Sequence, residues 1–288
     1  MSVVGVCGAG TMGSGIAVVA ARAGHEVILY DAAAEAARLG GERVTQFLDR
    51  SVALGKLDAA ARATAVAGLV TATELADLAP CEVVIEAIYE DLAAKAALLR
   101  ALDAICSPHA LFHTNTSTLS VTAIAAGSSR PERVVGTHYC NPAPLMKLVE
   151  IARARQTDDS AYERTRDFLA SVGKTTVTTA DTPGFIVNRF LIPFENDCIR
   201  MLAAGRGSVE SIDTAVTKGL RYPMGPFTLL DVVGLDIHYA VSMSLYNQLR
   251  EHRFAPPPLV EQMISAGHLG RKSGRGFYRY DSARPFGA

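Results

Sequence analysis

The sequence predicts an α/β protein: a doubly wound, parallel sheet over residues 1–183, followed by a second, all-helical domain over residues 184–288. Three observations carry that prediction. The first thirty residues read as strand, glycine turn, helix, strand and acid. Helical and strand-like segments then alternate as far as Thr179, which implies parallel strands joined by crossover helices. After Asp181-Thr182-Pro183-Gly184 the strand signal stops, and helical segments separated by Gly- and Pro-marked turns take over.

Each element has its local reason. Ser2 to Cys7 is a short β-branched run, and reads as a buried strand. Gly8-Ala9-Gly10-Thr11-Met12-Gly13 follows it at once, and Ser14 to Ala23 reads as a helix closed by Gly24. His25 to Tyr30 is a second apolar strand, ended by Asp31. In such a unit Gly8 permits the tight turn, Gly10 lets a pyrophosphate approach the backbone, and Gly13 allows helix and strand to pack closely. The helix N-terminus offers its free N–H groups and positive dipole end to the phosphates, with Thr11 and Met12 in the turn that leads into it. Asp31 stands where a carboxylate would accept hydrogen bonds from ribose hydroxyls, about 20 residues after the turn. It repels a 2′-phosphate, and no Arg or Lys follows in Ala32-Ala33-Ala34, so NAD is favoured over NADP. This is the signature of a Rossmann-type doubly wound parallel sheet.

Ala32 to Leu54 has helix-forming composition. Val83 to Ile85 is a short strand, Asp91 to Asp103 a helix capped by Asp91, and Ala110 to Phe112 leads into another loop. Arg133 to Thr137 is strand-like, and Leu148-Val149 is an apolar strand with Glu150 at its end. Ser160-Ala-Tyr-Glu163 is a capping-box pattern opening a helix that stops near Gly173, and Lys174 to Thr179 reads as a last strand. Phe185 to Ala204 reads as one long helix interrupted by Pro193.

Composition narrows the function classes. Apolar residues make up 49% and charged residues 20%, enough for a packed core and against disorder. A net charge of −1 leaves no electrostatic footprint for nucleic acid or an anionic membrane surface. Residues 1–21 carry no charged side chain, but their five glycines weaken a spanning helix and no basic segment precedes them as in a signal peptide. Five scattered cysteines without a C-x-x-C pair suggest reduced thiols in a cytoplasmic compartment, not a disulfide framework or a zinc site. There is no G-x-S-x-G elbow and no H-E-x-x-H.

In an open α/β sheet, ligands sit beyond the carboxyl ends of the strands. Glu86, Glu90, Asn115 to Ser117 and His138 stand at such positions. A histidine there can take a proton from an alcohol while a hydride leaves the same carbon. Glu150 is the candidate carboxylate to orient it, and Ser117 and Asn188 could hydrogen-bond the substrate oxygen. On spacing alone, a lone loop histidine such as His138 is more often structural than catalytic.

These segments together resemble the NAD-dependent L-3-hydroxyacyl-CoA dehydrogenases, most closely the bacterial 3-hydroxybutyryl-CoA dehydrogenases, along essentially the whole chain. The resemblance rests on Gly8 to Gly13, Val83 to Asp91, Thr114 to Leu119 and His138 to Ile151. It continues in Asp181 to Arg189, Tyr222 to Asp231 and Gly270 to Tyr278. It implies that His138 is the catalytic base, Glu150 its partner, and Ser117 and Asn188 the contacts to the 3-oxygen, with Ser117 also near the nicotinamide. It implies that Glu90, Lys95, Asn141 and Lys272 line the NAD site with Asp31, and that Ser51 and Lys56 meet the CoA phosphates. It further implies an acyl-CoA substrate and a homodimer formed through the C-terminal helical domain. Cys140 stands where the family carries a second aromatic after the histidine, which leaves local packing and acyl specificity open.

Bland readings stand beside these. Glu90 and Lys95 could be a solvated pair at a helix start, and Lys272 part of a solvated basic run. Asn141 could be a turn residue before Pro142, and Asn188 a solvated helix position. Two rival functions share the cofactor domain: a dehydrogenase of a sugar acid such as L-gulonate or of a carnitine-type alcohol, and a nucleotide-binding lens crystallin without catalysis.

Overall fold

The computed structural model describes residues 2–280. The chain divides into two compact units, the first ending at Thr182 and the second beginning at Pro183.

The first unit opens with β1 (Val3–Cys7), α1 (Thr11–Arg22), β2 (Glu26–Tyr30), α2 (Ala34–Ala53), α3 (Ala59–Ala67) and β3 (Leu69–Ala72). It continues with β4 (Val83–Glu86), α4 (Leu92–Ile105), β5 (Leu111–Thr114), α5 (Val121–Ala125) and β6 (Val134–Tyr139). It closes with β7 (Leu148–Arg153), α6 (Asp159–Ser171) and β8 (Thr175–Thr179). The strands form one eight-stranded sheet in the order β3-β2-β1-β4-β5-β6-β7-β8. From β3 to β6 every pairing is parallel. β7 then runs antiparallel to β6, and β8 parallel to β7. The stretch 140–147 between β6 and β7 contains no crossover helix, so the chain can only return in the opposite direction. The uniformly parallel sheet expected from the sequence is therefore a mostly parallel one.

The core follows from the pleat. Val4, Val6, Val27, Leu29, Ile85, Leu111, Val135 and Ile151 are all buried and pack with Ile16, Ala17, Val44, Leu48 and Leu169 from the helices. β3 and β8 are the sheet edges, and Val70 on β3 and Val177 on β8 are exposed.

Several boundaries moved for identifiable reasons. α1 begins at Thr11, three residues before the expected start, because the last glycine of the turn is already helical. α6 is capped by Asp158, not by the Ser160 capping box: the Asp158 carboxylate accepts from Ala161 N, and the helix starts before Ser160. β6 runs through His138 to Tyr139 because β7 pairs with it that far, so His138 is a strand residue and not a loop residue. Likewise Glu150 lies within β7, not at its end. Asp91 caps α4 as expected, accepting from Ala94 N.

The second unit has no β-strand among its described residues, and its α-helices are α7 (Val187–Ala203), α8 (Val209–Thr214), α9 (Pro226–Val233), α10 (Leu235–Leu249) and α11 (Pro258–Ser265). Pro193 is accommodated inside α7 without ending it. Cys198, Ile199, Phe227, Leu230, Leu235 and Val260 form its main core. The motif Gly270 to Tyr278 folds back onto α9, where the Asp231 carboxylate accepts from Phe277 N and Tyr278 N at 2.8 Å each. No single helix among the described residues is long and apolar enough to cross a membrane.

One buried group of the first unit gives the fold an acid sensitivity. His113 on β5 is fully buried, and burial pushes its pKa down to about 3. Thr165 Oγ1 donates to Ala161 O at 2.7 Å, so it accepts from His113 Nε2, 2.9 Å away, and the ring carries its proton there. Nδ1 has no hydrogen-bond partner. The unfolded chain takes up a proton on this histidine below the ordinary value of 6.5, whereas the folded chain resists it. Stability is therefore complete above pH 6.5 and declines as pH falls, by about 2–3 kcal/mol at pH 4.5. Urea denaturation of the wild type and His113→Asn at a series of pH values checks this: the variant shows a shallower decline between those limits, and equal slopes would show that His113 does not titrate.

Candidate active site

The carboxyl ends of β1, β4, β5 and β6 lie side by side and carry the residues singled out from the sequence. From β1 to β6 is three interstrand spacings, about 14 Å. The glycine turn stands at one end of that row and His138 at the other, with Glu86, Glu90 and Ser117 between them in strand order.

At the β1 end, Gly8 takes a φ of 98° and its N–H reaches Tyr30 O at 2.8 Å. A Cβ on Gly13 would stand 1.7 Å from Gly8 O, so no larger residue fits while the turn holds its shape. Gly10 is different: a Cβ there would meet nothing within 4 Å. Gly10 also precedes α1, whose N-terminus no side chain caps. The first N–H groups of α1, including those of Thr11 and Met12, thus stand uncapped beside a residue whose missing Cβ would have met nothing within 4 Å. This fits the pyrophosphate of a dinucleotide. Asp31 is held beside the turn, with Oδ2 accepting from Ala9 N at 2.9 Å and Oδ1 from Ala33 N at 3.1 Å. Those bonds take two of its roughly four acceptor positions. Arg43 on α2, which the sequence reading missed, donates to Ala9 O at 2.7 Å. It is one exposed charge among several on α2, and nothing local marks it.

At the β6 end, the antiparallel register sets His138 directly opposite Glu150. Opposed residues share a face of the sheet, so the two side chains meet. His138 Nδ1 and Glu150 Oε2 are 2.7 Å apart. Glu150 is fully buried and His138 is 7% exposed. An ionised carboxylate at that distance fixes the proton on Nδ1 and the basic lone pair on Nε2. Asn115 Oδ1 accepts from Tyr139 N at 2.9 Å and ties the end of β6 to the end of β5.

Between these ends is a network of ionised groups. Lys95 on α4 is 1% exposed and is no solvated pair-mate. Its Nζ is 2.6 Å from Glu86 Oε1 and 3.3 Å from Glu90 Oε2. Glu90 in turn gathers the Ser117 turn, its Oε1 accepting from Thr116 Oγ1 at 2.6 Å, Ser117 N at 2.9 Å and Thr118 N at 3.0 Å. Burial pushes the Glu90 pKa up, but the Lys95 charge and these hydrogen bonds outweigh it and hold the carboxyl below its ordinary value. Ser117 itself is half-buried.

The remaining predicted residues fall in separate places. Asn141 is exposed, just before the cis bond to Pro142. Ser51 is buried on α2 and donates its hydroxyl to Phe47 O at 2.8 Å, so it does not present itself to a phosphate; Lys56 is exposed. Burial pushes the Cys140 thiol up to about 11, which keeps it protonated and unreactive. Asn188 and Lys272 belong to the second unit. Asn188 is the second residue of α7 and is half-buried. Lys272 Nζ is 2.5 Å from Asp236 Oδ1 and 2.6 Å from Oδ2, so it is ion-paired rather than merely solvated.

Comparison with known proteins identifies the family. Residues 3–182 match the family model of the 3-hydroxyacyl-CoA dehydrogenase NAD binding domain, and residues 184–280 match that of its C-terminal domain. The chain is 43% identical over 279 residues to a 3-hydroxybutyryl-CoA dehydrogenase of Mycobacterium tuberculosis, covering 96% of this chain and 98% of the relative. It is 42% identical to a 3-hydroxyadipyl-CoA dehydrogenase of Escherichia coli, covering 98% of this chain and 59% of that longer protein. The crystal structure of (S)-3-hydroxybutyryl-CoA dehydrogenase from Ralstonia eutropha superposes with a TM-score of 0.91 at 38% identity, covering 98% of this chain and all of that one. With a glycine turn open at Gly10, an acid at the end of β2 and both family models matched along the chain, this protein belongs to the NAD-dependent 3-hydroxyacyl-CoA dehydrogenases.

Proposed function

We propose that this enzyme oxidises a short-chain L-3-hydroxyacyl-CoA, with 3-hydroxybutyryl-CoA as the reference substrate, and in reverse reduces acetoacetyl-CoA. The observation that carries the mechanism is the buried 2.7 Å contact between His138 and Glu150. When bound, NAD supplies the acceptor for the hydride that leaves C3. His138 takes the hydroxyl proton on Nε2 as the C3–O bond becomes a carbonyl. Glu150, unable to relax into water, stabilises the imidazolium so formed and keeps the ring in the productive tautomer. Ser117, and by resemblance Asn188, hydrogen-bond the 3-oxygen. In the reverse direction His138 returns the proton to that oxygen.

Asp31 receives the adenosine ribose, and the turn Gly8, Gly10, Thr11, Met12 and Gly13 the pyrophosphate. Glu90, Lys95, Asn141 and Lys272 are assigned to the rest of the NAD site by resemblance, Lys95 acting through the carboxylates that hold it. Lys56 is the one remaining assignment to the CoA phosphates, since the Ser51 hydroxyl is turned inward. The names of the Mycobacterium and Ralstonia relatives support a butyryl chain, and that of the Escherichia relative a dicarboxylic one. Five unpaired thiols, four of them buried, fit a reducing compartment such as the cytoplasm.

We place a homodimer contact on the second unit. Ile186, Phe190 and Met201 are exposed along one side of the start and length of α7, and Leu220 and Tyr222 are exposed beyond α8. Light scattering should give about twice the 30.5 kDa chain mass, and Phe190→Glu should lower it. A wild-type monomer would refute the contact.

His138→Gln should lower turnover by about 10²–10⁴-fold while NADH still binds. Turnover near that of the wild type would take His138 out of the mechanism. NADH oxidation across a ladder of 3-ketoacyl-CoA chain lengths should be fastest with acetoacetyl-CoA and poor with NADPH. Oxidation of L-gulonate exceeding that of 3-hydroxybutyryl-CoA would instead favour the sugar-acid reading.

A further inference from the structure

Glu86 belongs to the sheet and not to any surface. It ends β4, pairing in register with Cys7 of β1 and Thr114 of β5, and its side chain is 1% exposed. Both carboxylate oxygens are engaged. Oε1 accepts from Lys95 Nζ at 2.6 Å and from Ile88 N at 2.8 Å, while Oε2 accepts from Thr114 Oγ1 at 2.6 Å. A buried carboxylate is costly unless charge and hydrogen bonds satisfy it, and here three donors from three successive parts of the chain do so.

Lys95 divides its charge unequally. Its contact with Glu86 is short and sealed from water; that with Glu90 is longer, and the Glu90 side chain is 36% exposed. Two carboxylates and one ammonium leave the cluster with one surplus negative charge, which is directed through Glu90 at the N–H groups of Ser117 and Thr118. Glu86 is thus the fixed end of a relay. It sets Lys95, Lys95 sets how tightly Glu90 is held, and Glu90 sets the Ser117 turn.

We infer that Glu86 is a positioning residue for catalysis, acting through Lys95 and Glu90 to hold the Ser117 turn in its working place. The inference rests on the reading that the Ser117 hydroxyl contacts the reacting groups. Glutamine at position 86 has the same shape. Its amide oxygen can keep the bonds from Lys95 and Ile88, and its amide nitrogen can donate to the Thr114 hydroxyl, which rotates. Only the charge is lost. Lys95 then has Glu90 as its sole carboxylate partner of the two, draws it in, and loosens its hold on the turn.

A double-mutant cycle tests this. Glu86→Gln, Ser117→Ala and the double variant are assayed for NADH oxidation by acetoacetyl-CoA, with His138→Gln as reference. Glu86→Gln should lower kcat roughly 10- to 100-fold, with KM for acetoacetyl-CoA changed less than about threefold. In the Ser117→Ala background the same substitution should lower kcat less than about twofold, since the hydroxyl it positions is gone. A merely structural Glu86 would lower the melting temperature and leave kcat alone, or reduce kcat equally in both backgrounds; either result overturns the inference. If Ser117→Ala and His138→Gln are themselves without effect, the proposed mechanism fails first, and the two failures are told apart. Should Glu86→Gln not fold, Thr114→Val, which removes the bond that holds Oε2 and frees the carboxylate to shift from Lys95, is taken through the same cycle; a fall in kcat that is lost in the Ser117→Ala background supports the inference, and no fall or an equal fall in both overturns it.

Discussion

The pairing of His138 with Glu150, on which the proposed mechanism rests, depends on a reversal of strand direction. While the sheet runs parallel, adjacent strands offer their carboxyl ends to the same edge, and side chains there are set by loops. At β6 and β7 the chain turns back, and an antiparallel pairing faces His138 with Glu150 across the ladder. That register is backed on either side: Val149 and Ile151 are buried in the core, and Asn115 holds the end of β6. A slip of β7 by one residue would send Glu150 to the face opposite His138 and shift Val149 and Ile151 off their own faces, so the core and the His138–Glu150 pair enforce the same alignment.

Around that pair the site is assembled from charges that water scarcely reaches. Glu150, Glu86 and Lys95 are buried, and each finds a partner within 2.7 Å. Such groups contribute little net stability once desolvation is counted, but they hold geometry stiffly, because any displacement strands a charge in a medium that cannot screen it. The glycine turn works the other way. There the chain withdraws side chains, leaving backbone N–H groups and a helix dipole that suit an anionic group.

What could be read from the sequence was what local chemistry decides. The turn from Gly8 to Gly13, the acid at Asp31, the Asp91 cap and the change of character after Pro183 each depend on neighbours in the chain, and each was visible. The partnership of His138 with Glu150 was legible as a possibility, but spacing could not tell strand from loop; the pairing of β6 with β7 decided that. Lys95 was assigned to the NAD site only through resemblance. Its inward course depends on Glu86, which lies across the β4–α4 connection; Glu86 was visible as an acid at a strand end, but nothing local marked its pairing with Lys95. α3 and β3 left no clear pattern, since β3 is a short edge strand with exposed residues and α3 is rich in small ones. Ser51 shows the opposite failure: a hydroxyl at a plausible place in the sequence is turned inward by the face of the helix that carries it.

An open sheet always has two borders, and this one ends on β8. Its residues, Thr175-Thr-Val-Thr-Thr179, are uncharged and β-branched throughout, several of them exposed. Of the flanking charges, Lys174 is tied to the carbonyls of Ala143 and Met146, and Asp181 to Ser120, Val121 and Thr122. Neither is left to guard the border by repulsion, the usual device against edge-to-edge association. Edge-to-edge association of this chain would therefore begin at these five residues.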